Sequence, residues 1–437
     1  MKKVLKLVGI AVLLALLLGA CENLPFEIPW ISNDVPTATP QPGESDDLTP
    51  TPDITPTVET TPEPITFLTV WVPPEMDPDL ESEASNIFAS RIQSFSEQNN
   101  GLEIRVRVKS ATGAGGLLDS LTATNAAAPD ALPDVIALSR GDLETAALKS
   151  LIFPMDGLTE IPDDPDWYSF TREMALLQGS TFGLPFSADS LVLVYRTEKF
   201  PEFPGNWEAL FETGELLTFP AESDQAFFPL TLYLAAGGAI QDNQRRPLLE
   251  VSPLTDVFRL FDDGVDAGTF SAGLNQYQTS AQVWTAFRDG QTDLVVTWLS
   301  NYLKERPEGA SLVPLLPGNN GVISLGTGMS WAVAAMSEER RPLAADLAEF
   351  LVEPAFLSDW NRAAGYMPPR PSALDGWQDQ ALVGKFSQIA LMTRISPSND
   401  LITSLGPILR EGTRQILQGL VDPAQAAQVA VENLEGQ

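Results

Sequence analysis

From Ile65 onward the chain alternates short strand patterns with helical ones, and no other feature narrows its fold as far. "ITFLTVWV" is β-branched and aromatic, "ESEASNIFASRIQSFSEQNN" places Ala84, Ile87, Phe88, Ile92 and Phe95 on one helical face, and "LEIRVRVKS" alternates with period two. "GLLDSLTATNAA" reads as a helix, "PDVIAL" as a short buried strand, and "DLETAALKS" as a helix capped by Asp142. Strand-helix-strand-helix-strand is the pattern of a parallel-rich α/β layer with helices on both faces. A second such layer follows: "SLVLVY" as a strand after a Gly-Leu-Pro bend, "NWEALFETGELLTF" as a helical segment, "FFPLTLYLAAGGAIQD" as a helix closed by glycines, and "VWTAFRDGQTDLVVTWLSNYL" as helix, turn and strand. No internal repeat is present.

Ahead of this body lies a different kind of sequence. "MKKVLK" is a charged start, and the apolar run from Leu7 to Ala20 is shorter than the roughly 20 residues of a membrane span, so residues 1–20 read as a cleavable export signal. Leu18, Gly19 and Ala20 lead into Cys21, the one cysteine of the chain. That order resembles the bacterial lipobox, which implies lipidation of Cys21 and a two-chain anchor sufficient for stable membrane attachment; an ordinary signal peptide is the alternative. Residues 21–64 are rich in Pro, Thr and acid and lack Lys and Arg, the composition of a disordered tether. The expected address is the cell envelope, on the outer face of the cytoplasmic membrane.

Composition removes whole classes of chemistry. With 58 acidic against 26 basic residues, the net charge of −32 argues against nucleic acid and against membrane contact other than through a lipid. The 437 residues contain no histidine, which eliminates Ser-His-Asp and Cys-His catalysis and His-ligated zinc. No EF-hand spacing appears, and "ATGAGG" lacks the Gly-Lys-Ser/Thr ending of a phosphate-binding loop, so no metal and no cofactor are expected. Hydrolysis by a carboxylate pair survives these exclusions.

Eight short motifs then occur in a telling order: "LTVWV", "LPDVIAL" with "FPMDGL" behind it, "GLPFSADSLVLVY", "AAGGAIQD", "DLVVTWLSNY", "PLLPG", "GTGMSWAVAA" and "AGYMPPRPSAL". Across residues 65–437 the chain resembles the extracellular solute-binding proteins of family 1, the maltose-binding-protein-like lipoproteins that serve ABC importers. The resemblance implies an α/β, two-lobed, periplasmic-binding-protein-like (type II) fold with the ligand cleft between lobes. It implies crossings near residues 182–190, 314–320 and 361–368. One lobe then comprises residues 65–181 with 319–360, the other 182–318 with 361–437. The implied function is non-enzymatic: a monomer captures a sugar or oligosaccharide by cleft closure and delivers it to the transmembrane subunits of a permease.

A sugar presents apolar faces and a rim of hydroxyls, so its site wants aromatic platforms beside planar polar groups. Trp71 and Trp298 end strands, where open α/β sheets place ligands, and polar Asn301 follows the second. Trp331 follows the glycine-rich "GTGMS", Tyr366 lies in the last crossing with Arg370 just beyond it, Asp189 in the first, Glu75 in the "PPE" loop, and Arg140 after the "DVIALS" strand. Each has a plainer alternative: core packing for the tryptophans, a turn or cap for Asp189, a solvated loop charge for Glu75 and the arginines. Polyamines also bind through aromatics and acids and are the main rival solutes; a tethered glycoside hydrolase and a purely structural lipoprotein are the rival classes.

Overall fold

The computed structural model describes residues 64–436. The signal segment, the lipidation expected at Cys21 and all of the tether but Pro64 lie outside the described residues. The strands in chain order are β1 (Phe67–Val72), β2 (Glu103–Val108), β3 (Val135–Ser139), the short pair β4 (Leu176–Leu177) and β5 (Ser180–Thr181), β6 (Leu184–Arg196), β7 (Leu217–Thr218), β8 (Leu294–Trp298), β9 (Ala310–Val313), β10 (Ser324–Val333) and β11 (Thr393–Ile395).

Two α/β lobes share one long strand. The sheet runs β2-β1-β3-β10-β6-β8-β7, with β11 beside β10 and β9 beside β6. β1 is parallel to β2 and β3, and the helices Glu83–Gln98 and Leu117–Ala127 supply the crossovers such pairing needs. The first half of β6 pairs antiparallel with β10, from Leu184 opposite Trp331 to Ser190 opposite Gly326. Its second half pairs antiparallel with β8, from Leu191 opposite Trp298 to Tyr195 opposite Leu294. β6 therefore carries the backbone ladder from one lobe into the other.

Alternation along the strands divides each lobe into two cores. In the first lobe Leu68, Val70 and Val72 face the helix Glu83–Gln98, while Trp71, Ile136 and Leu138 face the helix Leu117–Ala127. In the second, Leu191 and Leu193 point toward the helices Val251–Asp266 and Asn399–Leu417, whereas Val192 and Val194 point toward Ser280–Arg288 and Gln380–Met392. Residues on opposite sides of a pleat must go to opposite layers.

Several local expectations change. Pro185 makes no bend before the strand but lies within β6, opposite Ser330, where the pairing with β10 shifts register. A proline has no N–H to offer the ladder, and the irregularity accommodates that loss. The helix after β3 starts at Arg140 and is capped by Ser139, whose hydroxyl accepts from Asp142 N at 3.2 Å; Asp142 is not the cap. Residues 206–219 hold only a short helix, Trp207–Phe211, before β7.

The junction between lobes is tied by uncharged groups. Ser190 Oγ lies 3.0 Å from Ser324 Oγ and 2.8 Å from Thr393 Oγ1, joining β6, β10 and β11 through buried hydroxyls. A third strand of chain passes at Met367, which exchanges backbone hydrogen bonds with Ala188 of 2.9 and 3.1 Å.

Candidate functional site

Four chain segments bring charged or phenolic side chains together beside this junction. The loop after β1 supplies Glu75, one of whose carboxylate oxygens is buried with no donor. β6 supplies Asp189, which is 7% exposed and accepts from the backbone N–H groups of Ser190 (2.9 Å) and Ser300 (3.0 Å). The helix Leu299–Glu305, which begins directly after β8, supplies Lys304. The segment after the helix Pro354–Ala364 supplies Tyr366, whose hydroxyl accepts from Lys304 Nζ at 3.1 Å.

The electrostatics follow from burial and mutual charge. Burial pushes the Asp189 carboxyl up to about 6, against the hydrogen bonds from Ser300 and Ser190 and the nearby Lys304 charge. Burial by itself disfavours the Lys304 ammonium, but Tyr366, Glu75 and Asp189 reverse that and raise its pKa. The Tyr366 hydroxyl is raised chiefly by burial, with Lys304 opposing. One cation thus serves two carboxylates and a phenol, and the site keeps unspent capacity to accept hydrogen bonds.

Close approach at this point depends on Gly365. It sits at φ +73°, and a Cβ there would come within 2.5 Å of Lys304 Cγ and 3.0 Å of the Lys304 backbone. Only glycine satisfies both the left-handed turn and the contact. The helix carrying Lys304 is thereby seated against the segment carrying Tyr366, and Tyr366 in turn stacks on Trp360 with ring centres 6.1 Å apart.

On the second lobe Trp298 is partly exposed and meets Phe227 edge-on at 5.5 Å. The two rings line a cavity of about 120 Å³ with Gln225, Gln278 and Ser280. Asn301 points its amide at Ser280 Oγ (3.1 Å) and Thr297 Oγ1 (2.8 Å), which fixes the polar rim of this wall. Aromatic faces with amides and hydroxyls at their edge form the kind of surface that fits a sugar ring.

The other sequence candidates fall elsewhere. Trp331 is fully buried between Phe88 (6.2 Å) and Phe186 (4.6 Å), and its glycine-rich approach serves strand packing: a Cβ at Gly328 would meet Ser187 O at 2.1 Å. Trp71 is 3% exposed and lies in the core beneath the helix Leu117–Ala127. Arg370 is held by Asp164 and by Asp166 Oδ2 (3.1 Å), 4.8 Å above the Trp167 ring, so its donors are taken by a structural clasp. Arg140 bonds Glu144 at 3.4 Å where the start of the helix Asn399–Leu417 meets the first lobe; its Nε is buried without a partner, and burial lowers its pKa against the opposing Glu144. Glu75, Asp189 and Tyr366 gather around Lys304, with Trp298 and Asn301 on the adjoining wall. Lys304 is not among the sequence candidates, although it falls four residues after Ser300 on one helical face, a spacing visible in "SNYLK".

No curated protein matches the chain in sequence. Solved structures do match its fold. The sugar-binding protein MalE of Xanthomonas citri superposes with a TM-score of 0.69 at 19% identity, covering 85% of this chain and 97% of that one. The cyclic α-maltosyl-1,6-maltose binding protein of Arthrobacter globiformis gives 0.68 at 16% identity, with 85% and 98% covered. UgpB of Mycobacterium tuberculosis, solved with glycerophosphocholine, gives 0.64 at 16% identity, with 84% and 97% covered. The bacterial extracellular solute-binding protein profile matches residues 90–384, most of the body that carries the junction just described, and the chain belongs to that family.

Proposed function

We propose that the chain is an exported, lipid-anchored receptor that captures a sugar or oligosaccharide between its lobes and delivers it to an ABC-type permease. The observation that carries this reading is the convergence of Glu75, Asp189, Lys304 and Tyr366 from four chain segments beside the Trp298 and Phe227 wall. Lobe one comprises residues 65–181 with 319–360, and lobe two 182–318 with 361–437. Trp298, Asn301, Glu75, Asp189 and Tyr366 are the proposed solute contacts, with Lys304 added to them. Trp71, Trp331 and Arg370 are left out of the set because their surfaces or donors are taken by the fold.

A solute that bridges the junction and the Trp298 wall touches both lobes only when they are closed, and this differential contact shifts the population toward the closed form. An aromatic platform losing about 100 Å² of apolar surface to a sugar face contributes about 2.5 kcal/mol before immobilisation costs. A shift from 1:99 to 99:1 needs about 5.5 kcal/mol of preference for the closed state, so hydrogen bonds at the charged junction must supply the rest. Structural neighbours named for sugar or cyclic maltosyl-maltose binding support the saccharide. Anchoring through Cys21 holds the body at the outer face of the cytoplasmic membrane; among the described residues no helix is long and apolar enough to cross one.

A charged or zwitterionic solute is the second reading. The donorless Glu75 oxygen favours it, and the UgpB neighbour was solved with glycerophosphocholine. Thermal shift and calorimetry across maltodextrins, glycerophosphodiesters and polyamines separate the two. Saturable micromolar binding of a maltodextrin is expected. Binding of a polyamine or glycerophosphodiester alone overturns the saccharide, and release of reducing ends overturns the non-enzymatic reading. Mass spectrometry of the mature N-terminal peptide tests the anchor: an unmodified Cys21 removes it.

A further inference from the structure

A second cavity lies along one face of β1 and β2, and nothing in solute capture at the junction uses it. Its volume is about 570 Å³, and its walls include Arg105, Arg107, Lys109 and Arg340, with Trp71 and Asp134. A chain with only 26 basic residues against 58 acidic ones has placed four cations around one hollow. The positions follow from β2: residues 105, 107 and 109 alternate onto one face, and Trp71 stands opposite Arg107 in the parallel pairing.

Two of these cations are already engaged. Arg340 is held by Asp134 at 2.6 and 2.8 Å and donates to Phe67 O at 2.7 Å, and Arg105 pairs with Glu103 at 2.7 Å. Both guanidinium groups also lie over the Phe67 ring, at 3.7 Å for Arg105 and 5.1 Å for Arg340. Among the described residues, neither Arg107 nor Lys109 has an acidic partner within salt-bridge distance. Lys109 Nζ stands 5.1 Å from the Trp71 ring centre, and the Trp71 indole N–H is buried with no acceptor. Charges on an edge strand guard a sheet against unwanted pairing. That accounts for arginine on β2 but not for two cations without acidic partners at one hollow.

We infer that this cavity binds a compact oxyanion, a phosphate or carboxylate group on a small molecule, independently of the solute at the junction. Arg107 offers a planar fork that fits two oxygens and Lys109 a point charge. Asp134 is neutralised by Arg340, which leaves Arg107 and Lys109 against one unpaired lining carboxylate among the described residues, Asp130. The bound anion would tie the edge strand β2 to β1 and stabilise the first lobe.

Calorimetric titration of the protein with inorganic phosphate, and separately with succinate, at constant ionic strength set by chloride, tests the assignment. Saturable binding of at least one anion is expected, weakened about tenfold or more in the double variant Arg107→Gln, Lys109→Gln. Arg107 lies on the edge strand β2 and Lys109 just past its end, and an unchanged melting temperature without anion checks that the variant is folded. Preference for phosphate identifies a phosphoryl ligand, and preference for succinate a carboxylate. In Trp298→Ala the anion must bind as before. Absence of saturation by either anion at concentrations on the order of 10 mM overturns the inference. Equal affinity in the double variant, or loss of binding in Trp298→Ala, overturns it as well.

Discussion

Trp331 and Trp298 are both strand tryptophans that the sequence offers as sugar platforms, and the fold gives them opposite fates. Trp331 lies on β10, which has β3 on one side and β6 on the other, and its ring is fully buried between Phe88 and Phe186. Trp298 is the last residue of β8, whose outer neighbour β7 is two residues long, so the sheet ends where its indole begins. One ring is closed in by neighbours and the other looks into a cavity. A tryptophan's role is set by how many strands flank it, which is a property of topology and not of the local sequence.

The largest effect is expected on the buried side of this comparison. Trp331→Ala removes a core indole that the surrounding rings cannot replace, and a loss of about 3–5 kcal/mol in urea unfolding follows. A loss below about 1 kcal/mol would mean the region collapses freely and Trp331 is not a core residue in solution. Arg370→Met ranks next. It leaves Asp164 and Asp166 facing each other without their cation, and because both acids retain some solvent the expected cost is about 2–3 kcal/mol, below that of a fully buried pair. Its solute affinity is expected to stay within about twofold of the parent. A selective affinity loss without destabilisation would return Arg370 to the binding set.

How much of this was legible depended on whether the signal was local. The helix Glu83–Gln98 was, because Ala84, Phe88, Ile92 and Phe95 repeat with helical period and are buried as the pattern requires. The strand ends at Val72 and Trp298 were, because β-branched runs stop there. The thirteen-residue β6 was not, since Pro185 reads as a breaker until a partner strand absorbs its missing N–H through a register shift. Arg370 could not be separated from a ligand-binding arginine, because its acids lie some 200 positions earlier in the chain. Asp189 was found from its place at a crossing, but its partner, the Ser300 N–H, is 111 residues away, and Lys304 became meaningful only when Gly365 brought its helix alongside.

A third prediction compares the two polar centres of the junction: the charged cluster at Asp189 and the hydroxyl knot at Ser190. The Asp189 carboxyl titrates near 6 in the fold, above its ordinary 3.8, so the folded state binds this proton more tightly than the unfolded state does. Its contribution to stability therefore rises as pH falls through about 6 and levels off below about 4, where both states are protonated. Asp189→Asn keeps an acceptor for Ser300 N and removes the buried charge. It is expected to stabilise the protein by about 1–2 kcal/mol above pH 7, less than the full shift implies because the asparagine NH2 must itself be buried there, with the difference from the parent nearly constant and small below about pH 4. Parallel stability profiles from pH 4 to 8 would show that Asp189 is not buried as a charge. The Ser190, Ser324 and Thr393 hydroxyls carry no titration, so Ser324→Ala should shift the whole profile downward by about 1 kcal/mol without changing its shape.

The smallest effect on stability, and the most informative for function, belongs to Trp298→Ala. The indole is only partly enclosed, meeting Phe227 edge-on at 5.5 Å over a cavity that already exists, so its removal leaves little new void and costs about 1 kcal/mol. If the ring is the platform for a saccharide, the same substitution removes about 2.5 kcal/mol of gross apolar contact from the complex, and affinity falls at least tenfold. Trp331→Ala produces the reverse ratio, a large change in stability whose effect on affinity, measured on the folded fraction, is small. Two tryptophans that cost the same in both assays would abolish the distinction and move the solute away from the Trp298 wall. A ratio that inverts between them, with affinity lost at Trp298 and stability lost at Trp331, would fix the second lobe as the aromatic half of the site and leave the charged junction to orient what it holds.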